Sequence, residues 1–296
     1  MKNTRLRRYA LYLFAGSFLL TCVGCSPVPS VDSLGQDSAL LTPQTIFDTD
    51  SAMNLKLSPE LHIRQIDQGA YVITHDYPWP ANSLLLEMDN GVLVWVGSTY
   101  TPQAAEEVLA WVQGTFGDRQ MIAINTGYHV DNLGGNAALM AQNIPIYGSD
   151  MTVKLLEERG DETRQLMLDM MKNSAKESVI NAHREIPYLP PTQVFPLKDG
   201  LELQFGEEKI LVIYPGPSQA PDKVVVYFPQ HKILFGGCMI LSADQVGNTA
   251  DADIPAWIEA VKTLQQFPVE FVIPGHGERI DPELISHTIE VLEKTQ

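Results

Sequence analysis

"INTGYHVDNLGGNAAL", residues 124–139, is the stretch from which the rest of the chain can be read. It starts where the apolar run Met121–Asn125 ends, so a buried strand feeds straight into a glycine-rich loop that carries His129 and Asp131. Three other apolar runs end in the same way. "ILVIY" leads into "PGPSQAPD" (Pro215 to Asp222), "ILFGG" into Cys238, and "EFVIPG" into His276. Ligands converge on strand ends at one edge of layered α/β folds. Thiolate, imidazole and carboxylate together suit Zn²⁺.

Working outward, strand and helix signals alternate. "LLLEM" and "VLVWV" flank Asp89-Asn90-Gly91, a hairpin signal. Thr101-Pro102 opens a helix as cap and first-turn proline, with Ala105, Val108, Leu109 and Val112 on its apolar face. Asn136–Gln142 reads as a short helix, "IPIYG" as the next strand, and Met151–Ala182 as helix with a break at Gly160. Met167, Met170 and Met171 read there as plastic core packing rather than a substrate lid. "LELQF", "ILVIY" and "VVVYF" are strands, Pro229–Lys232 a turn, and Asp253–Phe267 a helix. Asp281-Pro282 caps the last helix. Two β-rich halves with flanking helices predict a layered α/β sandwich.

The N-terminus reads differently. Lys2, Arg5, Arg7 and Arg8 precede an uncharged apolar run from Tyr9 to Gly24, too short for a membrane span and suited to a signal peptide over residues 1–24. Gly24-Cys25 resembles a lipobox, with Cys25 lipidated and Ser26 after it favouring the outer membrane; a plain cleaved leader and a retained anchor are the other readings. Residues 25–57 read as a tether rich in Ser, Pro, Asp and Thr, and 58–296 as the folded domain. Losing the four basic leader residues takes the formal charge from −16 to about −20, which repels nucleic acid and anionic lipid headgroups. Membrane contact is expected only through the lipid, in the periplasm, and the protein is expected to be a monomer. Of the cysteines Cys22, Cys25 and Cys238, only Cys238 remains as a free thiol after processing at Cys25.

The loop segment 124–139 resembles the H-x-H-x-D segment of metallo-β-lactamases. "VGSTYTP", "GCMI" around Cys238, "GNTADAD" (Gly247 to Asp253) and "IPGH" follow in that family's order. The resemblance implies a four-layer αββα sandwich. It also implies two neighbouring zinc positions, one built from three histidines and the other from Asp, Cys and His. The second is complete here as Asp131, Cys238 and His276. At the first only His129 remains, since Gly127 and Gln219 stand where histidines are expected. One Zn²⁺ is therefore expected. The pattern leans towards the family's mono-zinc, carbapenem-hydrolysing subclass, which the short "HDYPWPANS" flap also resembles. That subclass keeps the histidine replaced by Gln219, and a carboxylate-binding Lys where Leu241 stands. Asn248 and Gln219 are the candidate substrate-binding residues, and Asp131 and His129 the candidate groups that position and deprotonate water. His62, His75, His183, His231 and His287 are expected to be structural or surface residues, with His75 the exception to watch; Asp222 and Asp253 read as loop and cap residues. The function implied is zinc-dependent opening of the β-lactam amide in a small-molecule substrate. A lactonase or esterase, or a zinc-binding envelope protein without activity, are the rivals.

Overall fold

Both faces of the hairpin after residue 80 are apolar, and this dictates the layering. A computed structural model describes residues 53–173 and 175–295. In it strand β4 (Pro80–Glu87) pairs antiparallel with β5 (Leu93–Val96) across a turn in which Gly91 takes φ +82°. Leu84, Leu86, Val94 and Val96 point one way, while Leu85, Leu93 and Trp95 point the other. A strand apolar on both sides needs a layer on each side.

The remaining strands of the first sheet are β1 (Asn54–Ser58), β2 (Leu61–Asp67), β3 (Ala70–Asp76), β6 (Met121–Ile124), β7 (Ile146–Ser149) and β8 (Gln193–Phe195). The eight strands lie in sequence order, antiparallel up to β5 and parallel from β5 to β8. The second sheet contains β9 (Leu201–Phe205), β10 (Glu208–Ile213), β11 (Val225–Phe228), β12 (Ile233–Gly237) and β13 (Phe271–Pro274) in the order β13-β12-β11-β10-β9. Val72, Leu84 and Val94 of the first sheet pack with Ile210, Val226 and Phe235 of the second to form the central core. Outside the first sheet lie α1 (Pro102–Phe116) and α3 (Asn136–Ala141), through Ala105, Val108 and Leu139. Outside the second lie α6 (Ile254–Leu264) and α7 (Leu284–Glu293), through Trp257, Val261 and Leu292. The result is the expected four-layer αββα sandwich. Each large apolar side chain so buried contributes about 1.5–3 kcal/mol.

The structure departs from the sequence reading in three places. Strand β1 begins at Asn54, inside the segment assigned to the tether. The helix α4 (Asp150–Met171) runs unbroken through Gly160, because a single glycine costs only about 1 kcal/mol in a helix of 22 residues. The break comes later, before α5 (Glu177–Glu185). The last helix starts two residues after Pro282, with no side-chain cap from Asp281. The leader, Cys25 and most of the tether lie outside the described residues. No helix among those described is long and apolar enough to cross a membrane.

Candidate metal centre

Asparagines lock the loop after β6. Asn125 Nδ2 donates to the Asn132 carbonyl at 2.9 Å, and Asn136 Nδ2 to Asn125 Oδ1 at 2.8 Å. Asn132 Oδ1 in turn accepts from the Thr126 hydroxyl. These buried bonds set the start of α2 (Val130–Leu133), so Asp131 falls in its first turn behind His129. Asn132 Nδ2 then donates to Asp131 Oδ1 at 2.9 Å, which leaves Oδ2 directed at Cys238.

Cys238 follows β12 directly, after Gly237 at φ +52°. The β13 end is clamped against it, with Gly275 N donating to Gly237 O at 2.7 Å. A Cβ at Gly275 would sit 2.7 Å from Cys238 N, so only glycine permits this approach. It delivers His276, whose Nδ1 donates to Pro80 O at 2.7 Å, leaving Nε2 as the free donor atom.

Three different donors therefore meet. Cys238 Sγ is 2.9 Å from Asp131 Oδ2 and 3.8 Å from His276 Nε2, and that nitrogen is 3.5 Å from Asp131 Oδ2. Bonds of ~2.0–2.3 Å around a tetrahedral zinc place ligand atoms roughly 3–4 Å apart, so the trio fits this ion. Burial pulls the Asp131 carboxyl upward. The Lys223 ammonium, His276, His129 and the Cys238 hydrogen bond outweigh burial and bring it down to about 2.

His129 does not join the trio. Its Nε2 lies 3.1 Å from Asp251 Oδ2, which also accepts from the Tyr128 hydroxyl at 2.6 Å. Arg159 of α4 donates to Asp251 Oδ1 at 3.1 Å. Expected as a zinc ligand, His129 is instead half of a His–Asp pair. At the position opposite, Gln219 Nε2 donates to Asn248 O at 3.3 Å, while its Oε1 is buried without a partner among the described residues. Lys223, fully buried, brings its side chain against Gly127.

Above these groups opens a cavity of about 420 Å³, lined by His129, Asp131, Cys238 and His276 together with Gln219 and Asn248. Its lining is largely apolar, with Trp79, Tyr100 and the α4 residues Leu166, Met167 and Met170; among the described residues no lysine or arginine lines it. Of the methionines read as core, only Met171 is fully buried, because the helix turns the other two outward over the site. Leu241 packs among the residues of the α6–α7 layer and does not line the cavity. His75 stays structural, its Nδ1 accepting from Tyr100 N at 3.2 Å, and burial lowers its pKa to about 4. Asp253 caps α6, and Asp222 accepts from the Thr152 hydroxyl at 2.7 Å.

Sequence reasoning missed Asp251, Lys223, Trp79 and Tyr100. Only Lys223 carried a signal, as a charge at the head of the apolar run "KVVVYF".

Among curated proteins, the chain is 30% identical to "Metallo-beta-lactamase type 2" of Bacillus cereus over 218 residues, 72% of this chain and 73% of that one. It is 26% identical to the protein of the same name from Bacteroides fragilis over 251 residues, covering 81% and 89%. Among solved structures, a metallo-β-lactamase from Pontibacter korlensis aligns with a TM-score of 0.59 at 29% identity, over 82% of this chain and 99% of that one. One from Erythrobacter litoralis aligns at 0.65 and 21%, over 82% and 100%, a likeness of fold. The family model for the metallo-β-lactamase superfamily matches residues 76–276, from the end of β3 to the last of the three donors, and the chain belongs to that superfamily.

Proposed function

We propose that the protein is a single-zinc hydrolase that opens the amide ring of β-lactams, with carbapenems as the preferred class. The observation that carries this reading is the meeting of Asp131, Cys238 and His276, with donor atoms all within 4.8 Å of one another, on the floor of a cavity. The family is zinc-dependent, and the curated relatives named above are β-lactamases. Asp131, Cys238 and His276 would hold a zinc ion, which when bound would supply Lewis-acid stabilisation of charge on the departing amide nitrogen.

The chain's own residues do the rest. Asp251 accepts from His129 Nε2, which fixes the imidazole and leaves Nδ1 to take a proton from the attacking water. Tyr128, which is fully buried, and the exposed Arg159 of α4 hold the Asp251 carboxylate in place. Gln219 and Asn248 line the cavity edge as hydrogen-bonding groups for the substrate. The apolar faces of Trp79 and Met167 take the substrate's carbon skeleton and exclude water.

One observation favours a second reading, an uncharged lactone or ester as substrate. Among the described residues no lysine or arginine lines the cavity to meet a carboxylate, and the half-buried Leu241 packs against the α6–α7 layer. Hydrolysis of a carbapenem, a penicillin, a lactone and a simple ester, each with and without chelator, separates the two. Chelator-sensitive turnover of the carbapenem is expected. Turnover of the lactone or ester alone selects the second reading, and no turnover at all leaves a metal-binding role. The leader and Gly24-Cys25 support placing this chemistry in the periplasm on a lipid anchor. Intact-mass analysis of membrane-extracted protein tests this through an acylated N-terminal Cys25.

A further inference from the structure

Gly127 is not required by its own backbone, since its φ lies outside the left-handed region that favours glycine. What it lacks is room. A Cβ there would meet Lys223 Cδ at 2.8 Å, Nζ at 2.9 Å and Cε at 3.2 Å. The end of the lysine thus fills the volume that a side chain at position 127 would take. The backbone holds the two together, with Val224 N donating to Thr126 O at 3.1 Å.

Lys223 is 1% exposed, and its Nζ has no hydrogen-bond partner among the described residues. Ser218 Oγ, Gln219 Oε1 and Asp222 Oδ1 are likewise buried and unpartnered, so four such atoms fall within Ser218–Lys223. A lone buried ammonium is very costly, and one persists only where opposite charge compensates it. Burial pulls the Lys223 pKa down, and Cys238, Asp131, Asp222 and Asp251 together more than reverse that. Two of those four are donors of the metal trio.

We propose that the Lys223 ammonium, buried and seated over Gly127, is a built-in cation that fills the place a second metal ion would take on that side of the cavity floor, confining the centre to one ion. The inference rests on the metal-centre reading above and adds that the limit is set by Lys223 as well as by missing ligands. Like charges at close range repel in a poorly screened interior. Restoring histidines alone therefore does not restore a second ion.

The test uses the full-length protein loaded with cobalt(II), bound metal being counted after gel filtration and the thiolate-to-cobalt absorption band recorded. Wild type is expected to bind one ion and show the band. Gly127→His/Gln219→His, with Lys223 kept, is expected to bind one. Adding Lys223→Asn to that pair is expected to give two. Two tight ions in the double variant, or one in the triple, overturns the proposal. Should the histidine variants fail to fold, thermal midpoints of Gly127→Ala in wild-type and Lys223→Met backgrounds decide. A loss at least halved by Lys223→Met supports the packing of lysine over glycine, and equal losses overturn it. Wild type without cobalt or band, but with that coupling intact, sinks the metal-centre reading while leaving the Gly127–Lys223 pairing in place.

Discussion

On one side of the cavity floor, Asp131, Cys238 and His276 bring three different donor atoms within 4.8 Å of one another. On the other, Gly127 offers no donor, Gln219 offers an amide, Lys223 fills the gap, and His129 is bonded to Asp251. Both sides must manage buried negative charge. The first does so with donors that call for a mobile cation, the second with a cation fixed to the chain. A side of the floor without a cluster of metal donors therefore need not be a hole. Neighbouring side chains refill the volume and rebalance the charge, because interiors tolerate neither voids nor unpaired ions.

The comparison breaks most sharply at Cys238. Replacing it by Ser removes the softest donor. Metal affinity is expected to fall by more than the roughly 10–100-fold that loss of an outer hydrogen-bond partner costs. Metal content after dialysis against a weak chelator checks this, and undiminished binding would move the centre elsewhere.

Asp251→Asn probes the other side. The amide cannot hold the imidazole as a carboxylate does, so kcat is expected to fall about 10–100-fold, within or below the range that general-base catalysis supplies. Metal stoichiometry should stay at wild-type level and KM should change little, because Asp251 acts through His129 and not on the trio. A lost metal ion instead of a lowered kcat would show that the two sides are not separable.

A smaller effect is expected at the roof. Met167 lines the cavity and packs with the cluster around Tyr77 and Tyr100. Met167→Ala should raise KM about 5–10-fold with kcat nearly unchanged, as expected from the loss of one or two buried methylene contacts with substrate. Steady-state kinetics on the preferred substrate reads this directly.

How much of this was legible in the chain follows the same division. The sandwich could be read from β4 and β5, whose apolar residues on both faces demand two covering layers. The trio could be read because Asp131, Cys238 and His276 lie in segments that follow buried strands and match the donors that the family resemblance implies. The second side was not legible. His129 looks like a ligand from its spacing, and only the fold brings Asp251, 122 positions away, onto its Nε2. Gly127 reads as a missing histidine, and the close approach of the Lys223 side chain to it is a contact that no local pattern encodes. The α4 helix reads as core because its methionines are apolar, and apolarity alone cannot tell a core face from a cavity wall.

The subtlest expected difference is in acid. The hydrogen bond with His129 is the largest influence on the Asp251 carboxyl. Burial opposes it, while Tyr128 and the charges of His129 and Arg159 reinforce it, and the group titrates at about 2. In the unfolded chain an aspartate titrates near pH ~3.9. A carboxyl depressed on folding adds stability above its unfolded value and loses it as pH falls through the folded one. Wild type should therefore exceed Asp251→Asn in stability near neutrality, and the gap should close between about pH 4 and pH 2. Asp131 is also held at about 2, but it is present in both proteins and its contribution cancels in the difference. Denaturant unfolding of the metal-free proteins, followed at a series of pH values, supplies the measurement. Working without metal keeps Cys238 and His276 from coupling ion loss to the same pH range. A gap that stayed constant down to pH 2 would mean that Asp251 contributes through packing and neutral hydrogen bonds alone, and that the second side of the floor is not organised by charge.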